Sequence, residues 1–195
     1  ENGRKPNYMF RVSAVDDRVD VGMLKFAQRA YNAKKPGAML VNNPWGESNM
    51  KGLEKASAQL KLPLAGLEKY NPNEPDTTAQ LTKLKNSGAD AIVLVGNAGP
   101  AANVMKSLDR MGWNVPVVSH WGISGGRFDE LAGPRYKDVS FVQTYTFAGK
   151  LNPTGERVLA ELKKRVPTIK GPNDVLAPVG TANAQFPELI NVHPT

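Results

Sequence analysis

Ala91-Ile92-Val93-Leu94-Val95-Gly96-Asn97-Ala98-Gly99-Pro100 sets five consecutive apolar residues directly before a cluster of small and turn-forming ones. A run of that length is too short for a helix and shows no polar alternation, so it reads as a strand buried on both faces and ending at Gly96. The same unit recurs on either side. Before it, Thr78 opens a helix with Leu81 and Leu84 on one face and Gly88 behind its C-terminus. After it, Val104, Leu108 and Met111 mark a helix running to Gly112. Residues 115–119 then form a short apolar strand, with Pro116 near its start, where a missing N–H costs least.

Farther upstream, residues 21–33 predict a helix with Asp20 as its N-cap, stopped by Lys34-Lys35-Pro36-Gly37. Residues 38–41 predict a strand, and Ser48 opens a helix carrying Leu53, Ala56 and Leu60 that Pro63 ends. Residues 64–67 are a weaker strand candidate. Downstream come a short helix at Phe128 and Leu131, a strand over 139–145 and a helix over 153–166. Alternation of this kind predicts an α/β fold, an open, mostly parallel sheet with helices on both faces, because right-handed crossovers place them there. Ligands in such sheets sit beyond the C-terminal ends of the strands, here the loops 43–48, 96–102 and 120–126.

Composition narrows the chemistry. The 195 residues contain no Cys, which excludes disulfides, thiolate metal sites and thiol catalysis. The net charge of +7 comes from dispersed residues; the clusters Lys34-Lys35 and Lys163-Lys164-Arg165 fall at helix ends, where they complement the dipole, so no nucleic-acid partner is expected. No run reaches the roughly 18 apolar residues of a membrane span, and Glu1-Asn2-Gly3-Arg4-Lys5-Pro6 lacks the apolar core of a signal peptide. Direct membrane insertion is therefore not expected.

The loops hold the candidate chemistry. Trp45, set between Pro44 and Gly46, can form a pocket wall or can pack over its own lobe, and Ser48 with the following amides can receive an anion. The stretch from Gly96 to Pro100 lets a ligand approach the backbone but has neither the Lys-Ser/Thr nor the spacing of a nucleotide phosphate loop. Gly122-Ile123-Ser124-Gly125-Gly126 matches G-x-S-x-G, with Asp174 and His193 following in hydrolase order. Four residues separate Ser124 from the end of its strand, however, where a nucleophile elbow needs a tight turn. His120 and His193 stand far apart and lack metal-ligand spacing, and Asp16-Asp17-Asp20 read as helix caps and dipole partners. No catalytic residue, metal or cofactor is expected.

The order of elements resembles the type I periplasmic solute-binding proteins of the branched-chain amino-acid (Leu/Ile/Val) group. The resemblance runs from Phe10-Arg11 and Asp16-Asp17 through Val41-Asn42-Asn43-Pro44-Trp45-Gly46, Tyr70, Asp76, Gln80-Leu81 and Leu84-Lys85 to Gly88-Ala89-Asp90-Ala91-Ile92. It continues through Gly96, Gly112, Val115-Pro116-Val117 and Leu131-Ala132-Gly133. It implies a non-enzymatic, extracytoplasmic receptor, periplasmic or lipid-anchored, that hands a small solute to the membrane subunits of an ABC transporter. The alternatives are the ligand-sensing module of a membrane receptor and, behind it, a serine hydrolase using Ser124.

By the same resemblance, residues 1–12 are a hinge entry, 13–145 the second, C-terminal ligand-binding lobe, and 146–195 the hinge return with a fragment of the first lobe. The first lobe normally precedes Phe10, and Phe186-Pro187-Glu188 departs from the family's continuation, so the chain is expected to be a partial one whose residues 149–195 pack on further chain or are less well ordered. The implied ligand contacts are Trp45 in the first loop, Asn97, Ala98 and Gly99 in the second, and His120 and Trp121 in the third. Amino-acid binders of the family often place a carboxylate in the third loop to meet the ligand ammonium; here Trp121 stands in that place. A desolvated ammonium would lack its counter-charge, so a carboxylate-bearing or aromatic solute is expected over a free α-amino acid.

Overall fold

The computed structural model describes residues 15–124, 127–142, 151–165 and 167. The chain divides into two compact units, Val15–Tyr145 and Glu1–Ala14 with Thr146–Thr195.

In the first unit, helices α1 (Asp16–Tyr31), α2 (Pro44–Leu60), α3 (Thr78–Asn86), α4 (Ala98–Arg110) and α5 (Phe128–Leu131) alternate with strands β1 (Gly37–Val41), β2 (Gly66–Tyr70), β3 (Ile92–Val95), β4 (Val117–Ser119) and β5 (Val139–Phe141). The strands form one sheet in the order β2-β1-β3-β4-β5, and every pairing is parallel. This is the α/β architecture the apolar runs predict. Successive strand residues point to opposite faces. On one face Met39, Ile92, Leu94 and Val117 join Leu81 and Leu84 of α3 and Val104, Met105 and Leu108 of α4 in a single buried cluster. On the other lie α1 and α2, whose Met23, Leu24, Leu53 and Ala56 are buried. Each fully buried side chain of this size contributes roughly 1.5–3 kcal/mol. Gly88 and Gly112 follow α3 and α4 with left-handed φ of 80° and 57°, which is why those helices end there.

Several boundaries differ from the sequence reading, each for a local reason. Helix α1 begins four residues before Asp20, which is therefore not its cap but an interior residue that is fully buried. Helix α2 begins at Pro44 rather than Ser48: Asn43 caps it by accepting from the Gly46 amide at 2.9 Å, and Pro44 occupies the first turn, where no amide partner is needed. Trp45 and Gly46 are thus helical. Helix α4 likewise starts at Ala98, which shortens the second loop to Gly96-Asn97. Strand β2 sits later than expected, paired in register with β1 from Gly37↔Gly66 to Val41↔Tyr70. Of the strand expected over 139–145, residues 139–141 form β5, and residues 143–145 lie outside the described ones.

In the second unit, helix α6 (Pro153–Arg165) is capped by Asn152, whose Oδ1 accepts from the Gly155 amide at 2.8 Å. Glu161 accepts from Arg165 Nε at 3.1 Å. Among the described residues no helix is long and apolar enough to cross a membrane.

Candidate functional site

In the order 2-1-3-4-5, strand succession reverses between β1 and β3, and that crevice is where open α/β sheets bind ligands. The C-terminal ends of β1, β3 and β4 are neighbours there, and each carries part of the candidate site. The connection from β1 to α2 is only Asn42-Asn43, so Trp45 emerges directly at the sheet edge. Asn49, one turn on, donates from Nδ2 to the Trp45 carbonyl at 2.9 Å and fixes that turn. The second connection is set from below by Tyr70, whose buried hydroxyl donates to the Val95 carbonyl at 3.1 Å and occupies the space that a Cβ at Gly96 would need. The third is registered against the second: the His120 amide donates to Leu94 O at 3.1 Å and Ser119 Oγ to the same oxygen at 2.8 Å.

These constraints bring the predicted residues together around one ring. The His120 imidazole is 0% exposed and lies edge-on to Trp45, with centroids 4.9 Å apart and planes at 89°. On its other side, Trp121 is 4.0 Å away at 65°. Trp121 begins a short 3-10 turn, Trp121–Ile123. A Cβ on Gly122 would stand 2.6 Å from Gly96 O, 2.8 Å from Trp45 Cη2 and 3.2 Å from Asn97 Oδ1, so this glycine lets the three loops close on one another. Trp45 and Trp121 are half-buried, Asn97 and Gly99 are exposed, and Ala98 is buried in the first turn of α4. Asn97 N-caps α4 without a side-chain hydrogen bond. This edge presents two indoles, the Asn97 side chain and the N-terminus of α4, with His120 beneath.

Asp16, read from the sequence only as a helix cap or dipole partner, belongs beside His120. The first residue of α1 places its Oδ1 3.4 Å from His120 Nε2, with the acid 22% exposed. Burial pushes the imidazole down to about pKa 4, and the Asp16 carboxylate pulls the other way. Neither imidazole nitrogen completes a hydrogen bond. The one acid at the start of α2, Glu47, pairs with Lys69. A separate surface cleft of about 660 Å³ is lined by Asp17, Asn43, Pro44, Glu47, Ser48, Lys51 and Lys55. It lies along α1 and α2 and includes Ser48, which sits inside α2 rather than at its N-terminus, but none of Trp45, Asn97, Ala98, Gly99, His120 and Trp121; part of its charge is already matched in the Lys55–Asp17 pair.

Ser124 does not sit as an elbow nucleophile does. It closes the 3-10 turn at φ −72° and ψ 9°, an ordinary backbone conformation, while Gly125, Gly126, Asp174 and His193 lie outside the described residues. Among the described residues no three His, Asp or Glu side chains converge as metal ligands.

The all-parallel sheet flanked by helices is an architecture shared with known proteins. A family model described as periplasmic binding protein matches residues 1–186, and the chain belongs to that family. No curated protein matches the sequence. Among solved structures it is similar to the leucine binding protein LivK from Thermotoga maritima, with a TM-score of 0.74 at 16% identity over 86% of this chain and 48% of that one. It is also similar to LivJ from Streptococcus pneumoniae, a branched-chain amino acid transporter substrate binding protein in complex with isoleucine (TM-score 0.72, 20% identity, 84% and 47%). A fatty acid ABC transporter substrate-binding protein from Thermomonospora curvata follows (0.67, 19%, 83% and 42%). The fold is thus that of the type I periplasmic binding proteins, as the order of elements implied. The chain spans less than half the length of each of these relatives.

Proposed function

We propose that this chain supplies one wall of the solute site of an extracytoplasmic receptor, periplasmic or lipid-anchored, that delivers a small organic solute to the membrane subunits of an ABC transporter. The observation that carries the reading is the convergence of Trp45, Asn97 and Trp121 over a buried His120 at the switch point of the sheet. In this reading residues 13–145 are the second lobe, and 1–12 with 146–195 are the hinge crossings and a fragment of the first. The solute has an aromatic or apolar body against the indoles. Its polar end, a carboxylate in the favoured version, turns toward the N-terminus of α4. Of the described carboxylates near this edge, Glu47 is held by Lys69 and Asp16 faces the His120 ring.

Trp45→Ala and Trp121→Ala, made in the parent two-lobed protein, should each weaken solute binding by about 1–3 kcal/mol in calorimetry. Unchanged affinity in both, with the fold intact, would move the site elsewhere. The choice of solute is read by thermal-shift screening of organic acids against amino acids on the same protein. The reading is of a binder and not an enzyme, and a fluorophosphonate probe should leave Ser124 unlabelled; stoichiometric labelling would install the hydrolase instead. A sensor module of a membrane receptor shares the fold, and a transmembrane segment rather than transporter subunits encoded beside it would favour that role.

A further inference from the structure

We infer that Asp16 is a positioning residue of this surface: its carboxylate holds the buried His120 imidazole as the Nε2–H form, wedged edge-on between Trp45 and Trp121, and so sets the orientation of both indoles. The part of the inference that concerns solute rests on the proposed function; the coupling of Asp16 to the indoles through His120 stands on geometry alone. An imidazole buried at 0% exposure has a roughly two-fold choice of ring orientation and a choice of tautomer. A carboxylate 3.4 Å from Nε2, short of a completed hydrogen bond, biases both choices electrostatically, because the proton is more stable on the nitrogen that faces the negative charge. The ring edges so favoured are the ones that meet Trp45 at 4.9 Å and Trp121 at 4.0 Å.

The neighbours assign this role to Asp16 rather than to another acid. On α1, Asp17 is directed to Lys55, 3.4 Å from its Nζ, and Asp20 lies against Gly52 of α2. The start of α2 brings Trp45 and Glu47, the latter paired with Lys69. The connection from β3 brings Asn97, which has no charge, and the Trp121–Ile123 turn brings no titratable group. Low imidazole basicity from burial keeps the ring neutral at pH 7, the state in which the tautomer matters.

The test uses the whole chain without solute, in a Trp113→Phe background, so that indole signals come from Trp45 and Trp121 alone. Asp16→Ala should at least halve the near-UV circular dichroism of the indoles and should lower the acid midpoint at which protonated His120 quenches their fluorescence. Asp16→Asn, which keeps an acceptor oxygen of the same shape, should restore the dichroism while leaving the midpoint low. An Asp16→Ala protein with folded far-UV spectrum and both indole readouts unchanged overturns the inference. Nitrogen-15 NMR of the two histidines in the otherwise unaltered chain, with His193→Gln for assignment, needs no change at Asp16: His120 should carry its proton on Nε2, and a proton on Nδ1 refutes the role. If the inference holds while Trp45→Ala and Trp121→Ala leave solute affinity unchanged in the parent protein, the failure belongs to the proposed function and not to the Asp16–His120 coupling.

Discussion

Gly46→Ala should destabilise the first unit by about 3 kcal/mol or more, lowering the thermal midpoint by roughly 10 °C. Gly46 lies in the first turn of α2, and a Cβ there would run into the Val41 carbonyl oxygen and stand 2.9 Å from the carbonyl carbon. Neither party can yield cheaply. The oxygen belongs to the last residue of β1, whose register with β2 and β3 holds the centre of the sheet, and the Gly46 amide is committed to the Asn43 cap. Relief requires the first turn of α2 to lift, carrying Trp45 away from His120. The companion variant Gly22→Ala, in α1 with nothing within 4 Å of the added carbon, should instead stabilise by about 0.5–1 kcal/mol, as an alanine replaces a glycine in a helix. Urea unfolding of both proteins checks the pair. A Gly46→Ala midpoint within a degree or two of the parent would show that α2 does not rest on the end of β1 as described.

The strands were legible because their signal is composition over four or five consecutive positions, and residues 38–41, 91–95 and 115–119 have nothing else to be. Helix starts were less so. Pro44 and the Ala98-Gly99-Pro100 triplet carry the residue types of loops, and only the capping of Asn43 onto Gly46 shows that the helix has begun. Asp20 shares the buried stripe of Met23, Leu24 and Ala27 at helical spacing, but an acid just before an apolar-periodic run carries the signature of an N-cap, and acids are seldom buried. The resemblance named Trp45, Asn97 and Trp121, and the fold sets these residues close together at one sheet edge. It gave no sign that Asp16 faces His120 or that Gly122 lets the loops close, because both reach that edge through close approaches between elements distant in sequence.

Stability of the chain should fall as pH rises from about 6.5 to 8, and Asp20→Asn should abolish that fall. Asp20 is buried against Gly52 with both carboxyl oxygens unpartnered. Burial first, then the charges of Asp16 and Asp17, raise its pKa from 3.8 to about 8. Lys55 of α2 is engaged with Asp17. Between pH 4 and 8 the folded chain therefore holds a proton that the unfolded chain has lost, and stability decreases with pH across that window. His120 works in the opposite sense: its pKa is lowered from 6.5 to about 4, so between those values the unfolded chain binds the extra proton and stability increases with pH. The two slopes offset one another from about pH 4 to 6.5, and the curve there should be nearly flat. Above 6.5 Asp20 acts alone, and up to pH 8 the loss is on the order of 2 kcal/mol, or several degrees in the thermal midpoint. Asp76, held down to about 2 by Thr78 and Arg110, contributes only at lower pH. Asn at position 20 keeps the shape of the protonated acid and does not titrate, so the variant should gain stability from pH 4 to 6.5 through His120 and then hold level to pH 8. Thermal midpoints of the two proteins at half-unit steps separate the cases: parallel curves above pH 6.5 would mean that Asp20 is ionised in the folded chain, and that the packing of α1 on α2 tolerates the charge.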